Sequence, residues 1–157
     1  MNRPSNKKGQ SSLELLITLS FGLFILLPIA IVAFIQVSNS NTSLSGVEAQ
    51  QASSKLSSVA TMVGGEGYPA RQDVEISIPS GVVNIFVGNL TNGVGHEIIF
   101  EIVSPVNNSY VATYTPVNVS GSLGGIVDPG TYLINVSAQS SCPSNPKVDC
   151  VYMRPVV

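Results

Sequence analysis

The sequence predicts an α+β chain, a long apolar N-terminal helix followed by a small antiparallel β-sandwich head. Three observations carry that prediction. A short basic stretch gives way to an unbroken apolar run from Leu13 to Val37. The polar stretch that follows carries apolar residues at every third or fourth position, the period of one helix face. From residue 70 the pattern changes to alternation with period two, punctuated by Gly, Pro and Asn turns.

The apolar run, LELLITLSFGLFILLPIAIVAFIQV, holds one charge, Glu14, at its edge. At 1.5 Å per residue it spans roughly 38 Å, enough to cross a hydrocarbon core of ~30 Å with some tilt. It is longer than the apolar region of an ordinary cleaved secretory signal, and no small-x-small site follows it, so it is expected to be retained. Lys7 and Lys8 favour a cytoplasmic N-terminus and an external C-terminal body. Within the run, Gly22 and Pro28 are either tolerated as in many membrane helices or mark a bend.

In residues 38–66, Ala49, Ala52, Leu56, Val59 and Val63 form one narrow apolar stripe. It predicts that the helix resumes after the polar residues 38–45, with 38–46 the candidate place for a break. Gly64, Gly65 and Gly67 are its stop signals. Six short runs follow, at 74–78, 82–87, 98–102, 110–117, 131–137 and 148–153, with turn residues between them. Nearly ninety residues are enough for one modest core. The expected organisation is a leader over 1–9, a helix over 10–66 and a head over 67–157.

Composition narrows the function classes. Hydrophobic residues make up 44% of the 157-residue chain and charged residues only 10%, and mean hydropathy is +0.34. Arg3, Lys7 and Lys8 precede Gln10; from there on the chain has four basic and nine acidic residues. An acidic body argues against nucleic acid, which needs a basic face. The single histidine, His96, reads as a surface residue. Glu97 and Glu101, four apart on a strand, read as part of a solvated face. Asp73, Glu75 and Asp128 do not cluster in the sequence. No catalytic set, metal set or cofactor motif is present, so an enzyme is not expected.

The informative stretch is Lys7-Lys8-Gly9-Gln10-Ser11-Ser12-Leu13-Glu14, directly abutting the apolar run. It resembles the class III signal peptide of archaeal type IV pilin-like proteins: a basic pair, Gly, then Gln-x-Ser-x-Glu and hydrophobic residues. Gln10, Ser12 and Glu14 match; Thr18 stands where that family favours Leu, with Leu19 next. The resemblance implies cleavage between Gly9 and Gln10 by a membrane-embedded prepilin peptidase, on the cytoplasmic side of the helix that stays behind. It further implies an assembly ATPase and a membrane platform protein as partners, and other pilins and copies of the chain itself as neighbours in a helical polymer. Glu14 would meet the new amine of Gln10 on a neighbouring subunit, because a carboxylate near an apolar helix is costly unless paired. The competing reading of Glu14 is local: Ser11-x-x-Glu14 fits a capping box.

Five Asn-x-Ser/Thr triplets occur, at Asn41, Asn89, Asn107, Asn118 and Asn135. Chance in a chain this rich in Ser and Thr predicts about two. The excess fits an exported surface that an oligosaccharyltransferase modifies. Asn135 is expected on the face opposite Tyr132, Ile134 and Val136. Cys142 and Cys150 leave no odd thiol and enclose a proline-stiffened loop, so outside the cell a disulfide between them is expected.

Two roles from other classes compete with a filament subunit used for adhesion or surface attachment. One is a minor pilin, tip adhesin or ligand-binding surface component. The other is an unassembled, single-pass anchored β domain, which would keep its N-terminus uncut.

Overall fold

The computed structural model describes residues 7–91, 93–103 and 107–156, with the side chains of 7–12, 38–39 and 41–42 left undescribed. One helix, α1, runs Lys7–Glu66. Six strands follow: β1 (Arg71–Ile78), β2 (Val82–Gly88), β3 (Gly95–Ile102), β4 (Ser109–Gly121), β5 (Gly130–Gln139) and β6 (Cys150–Pro155). The chain divides into two compact units, Met1–Asn41 and Thr42–Val157. The boundary falls inside α1, so the helix's C-terminal part belongs to the same unit as the strands.

The expected break near residues 38–46 is absent, and α1 is helical throughout. Propagating a helix costs little per residue, whereas stopping and restarting one requires a second unfavourable nucleus. A run of Ser and Asn, each only mildly unfavourable, does not outweigh that. Pro28 removes one backbone donor, yet the helix also passes through it. Of the three expected stop glycines, Gly64 and Gly65 lie inside the helix, which runs on to Glu66, and only Gly67 ends it. Gly67 has φ of 73°, its N–H donates to Val63 O at 3.1 Å, and only glycine takes that left-handed conformation without strain.

In the second unit the whole predicted stripe, Ala49, Ala52, Leu56, Val59 and Val63, is buried, together with Ala60. It packs in one core with the inward residues of the strands: Val74, Ile76 and Ile78 of β1, Ile98, Phe100 and Ile102 of β3, and Ile134 and Val136 of β5 among them. Gly64 allows the closest approach. A Cβ there would lie 2.9 Å from a Val117 methyl and 3.0 Å from one of Val151.

The α+β class is as the sequence predicts, and the six strands fall on the six alternating runs. The head differs from expectation in one respect. It is a single six-stranded sheet of order β1-β5-β6-β4-β3-β2, not two antiparallel sheets. Its inner face is covered by α1, so the helix stripe does the work that a second sheet would have done. The sheet is mixed because β6 returns between β5 and β4. It pairs antiparallel with β5 and, over Val119–Gly121, parallel with β4.

The β5–β6 connection is closed by the Cys142–Cys150 disulfide. Both half-cystines are buried. The turn is backed by Cys142 N–H to Val148 O at 2.9 Å and Asn145 N–H to Cys142 O at 3.1 Å. Closing so short a loop removes unfolded-state entropy worth about 2–3 kcal/mol.

Candidate functional site

The apolar segment of α1 is the feature that needs an explanation. Leu13–Val37 is 25 residues long with mean hydropathy 2.7, and none of it is buried against the rest of the chain. It is long and apolar enough to span a membrane. Leu15, Phe24 and Phe34 are at least 72% exposed, on different faces of the helix. A helix that is hydrophobic all round is one whose surroundings are apolar. Its one internal hydroxyl near the polar end, on Thr18, donates to Glu14 O at 2.8 Å, which satisfies it without an outside partner.

The polar edge of this segment is Lys7, Lys8, Gly9, Gln10, Ser12 and Glu14. All six have helical backbone. The side chains of the first five are outside the described set, and that of Glu14 is exposed. The capping-box reading of Ser11 and Glu14 is corrected here. The backbone is already helical from Lys7, so Ser11 is an interior residue and cannot be the N-cap in the full-length chain. The cause is again cheap propagation, back from the apolar run into the basic leader. The Gly9–Gln10 bond is likewise helical, so an extended conformation there requires the first turn to unwind. That turn contains a glycine, which costs a helix ~1 kcal/mol.

Elsewhere in the second unit, His96 is exposed. Its Nδ1 lies 3.2 Å from Thr115 O, and its ring stacks on Tyr114 with centroids 5.9 Å apart. It sits at the rim of a cleft of about 490 Å³ that also touches Gly64, Tyr68, Asn118, Gln139 and Asp149. Glu97 is exposed, as expected of a solvated face. Glu101 is half-buried and accepts hydrogen bonds from Asn108 Nδ2 at 2.7 Å and Tyr110 Oη at 3.1 Å. That bond, reinforced by the negative charge of Glu101, holds the Tyr110 phenol above its ordinary pKa. Among the described residues, no three His, Cys, Asp or Glu side chains gather as a metal site would need.

The sequons separate by environment. Asn89 and Asn107 are exposed in connections, whereas Asn118 and Asn135 are half-buried in β4 and β5. Asn135 does lie opposite the face of Ile134 and Val136, both fully buried. The Asn41 side chain lies outside the described residues.

Sequence reasoning missed a polar seam between α1 and β4. Ser53 and Ser57 are buried, and the Ser57 hydroxyl donates to Tyr114 O at 2.9 Å. Their i, i+4 spacing beside the Ala52–Leu56 stripe was the available signal.

No family model, curated protein or solved structure matches the chain.

Proposed function

We propose that the chain is a structural subunit of an archaeal type IV pilus-like surface filament. It is stored in the membrane as a precursor, cut between Gly9 and Gln10 and polymerised through Leu13–Val37 for adhesion or surface attachment. The observation that carries this reading is an apolar helix segment, unburied on every side, that directly follows the Lys7–Glu14 motif. Lipid covers such a surface before assembly, and the same segments of neighbouring copies cover it afterwards. Lys7 and Lys8 hold the N-terminus in the cytoplasm, which puts the head and its disulfide outside. The partners this requires are a prepilin peptidase, an assembly ATPase and a membrane platform protein.

A second reading has its own support. The cleft between His96 and Asp149 favours a ligand-binding component, either at a filament tip or on an unassembled anchored domain.

Intact mass of the subunit from sheared surface filaments tests the first reading. The expected chain lacks residues 1–9. A chain beginning at Met1, or cut after residue 30, would overturn it.

A further inference from the structure

Five chemically identical triplets need not be equally reactive, and the fold treats those in the head differently. We propose that Asn89 is the principal N-glycan acceptor of the folded head, with Asn107 second, and that Asn118 and Asn135 are closed to modification. This rests on the reading of the head as exported.

Transfer joins Asn Nδ2 to the anomeric carbon of a lipid-linked oligosaccharide. The anomeric C–O bond breaks, the lipid pyrophosphate leaves with its electron pair, and an Nδ2 proton passes to a base of the transferase. The reaction therefore needs an Nδ2 that no acceptor holds. It also needs a triplet that the enzyme can surround, on a loop and not in a ladder of strand hydrogen bonds.

Asn89 meets both needs. It follows the last residue of β2, and its neighbours Leu90 and Thr91 are exposed. Its side-chain oxygen accepts from Thr91 N–H at 2.9 Å, Thr91 Oγ1 at 2.8 Å and Gly93 N–H at 2.8 Å. Those three bonds fix the amide through its oxygen, and among the described residues Nδ2 has no acceptor. Gly93 keeps the nitrogen side open: a Cβ there would lie 2.8 Å from Nδ2. Asn107 is also exposed just before β4, and its Oδ1 accepts from Asn108 N–H at 2.9 Å.

The other two fail both needs. Asn118 Nδ2 donates to Asp149 O at 3.3 Å. The next two residues, Val119 and Ser120, are 0% and 1% exposed, and Val119 pairs with β3 on one side and β6 on the other. The Ser120 hydroxyl faces inward, 2.8 Å from Ser144 Oγ. Asn135 Nδ2 donates to the Asp73 carboxylate. Its backbone lies between Asp73 of β1 and Arg154 of β6, and Val136 is fully buried. Freeing either triplet means opening interior strands of the sheet.

The test uses the full-length chain folded in detergent with its disulfide intact. The reagents are a lipid-linked oligosaccharide and a single-subunit oligosaccharyltransferase first shown to modify synthetic peptides of all four head triplets. Peptide mass spectrometry reads occupancy at each site over time. Asn89 should be modified at least about tenfold faster than Asn118 or Asn135, since local opening of interior strands is rare. Reduction and unfolding should bring Asn118 and Asn135 up to the rate of Asn89. Modification of either at the rate of Asn89 in the folded chain, or an unmodified Asn89, overturns the assignment. The outcome does not depend on cleavage before Gln10. A chain that keeps residues 1–9 and forms no filament would sink the filament reading and leave the site pattern to its own test.

Discussion

The hydroxyls of Ser53 on α1 and Thr113 on β4 lie 2.7 Å apart, joining helix to sheet beside the buried apolar stripe. Ser53 Oγ also reaches Gln50 O at 3.0 Å, and Gln50 Nε2 donates to Thr113 Oγ1 at 3.0 Å. Ser53 is fully buried, Thr113 half-buried and Gln50 exposed, so the two partners give the buried Ser53 hydroxyl the hydrogen bonds that water cannot reach it to supply.

Ser53→Ala should therefore destabilise the head by about 1 kcal/mol, the usual net value of one such bond. Ser53→Leu should cost more, about 1–3 kcal/mol, because the fully buried site has no room for it. All five tyrosines lie beyond Gly67 and the chain has no Trp. Denaturant unfolding of the micelle-held chain, followed by tyrosine fluorescence, thus reports on the head alone. Wild-type stability in Ser53→Leu would contradict the packing described.

Glu14→Gln tests assembly with capping controlled for, because in a chain cut before Gln10 the glutamine keeps the capping hydrogen bond of Ser11-x-x-Glu14 and loses only the charge. Glu14→Gln and Glu14→Ala should both be made and inserted, because Leu15–Val37 is unchanged and loss of a charge at the membrane edge eases insertion. If Glu14 pairs with the Gln10 amine of a neighbour, both variants should be cut yet be absent from sheared filaments. Processing must be followed in the same cells by intact mass. Normal filaments from Glu14→Gln would refute the pairing.

Tyr110 supplies a pH signature. Its hydrogen bond to the Glu101 carboxylate and that group's charge both favour the neutral phenol, so its pKa is raised above 10.0. The sign follows: the contact is intact below that pH and is lost as pH rises through the raised value. A ¹³C-tyrosine NMR titration should show Tyr110 ionising above the ordinary value. In Glu101→Gln its midpoint should fall toward that value, and an unmoved midpoint would show that Glu101 is not the cause.

The sequence by itself determined the α+β class, the apolar run Leu13–Val37, the stripe that docks α1 and the six strands, and it placed the helix end among the glycines of residues 64–67, of which Gly67 is the one that acts. Each is written in local periodicity or in backbone chemistry, which one chain segment carries alone. The Cys142–Cys150 pair was legible because no other cysteine competes. Only the tertiary structure decided the rest. A single mixed sheet depends on β6 inserting between β5 and β4, a choice among distant pairings that no local pattern encodes. The Ser53–Thr113 contact joins residues sixty positions apart, and a serine within a Ser-rich helix reads as solvated until its partner is placed. That the chain is already helical from Lys7 to Ser11 reflects helix propagation overriding a local capping signal. The sequons divide for the same reason: Asn-x-Ser/Thr is a local motif, but whether Nδ2 is free is settled by Asp149 for Asn118 and by Asp73 for Asn135, neighbours that only folding supplies.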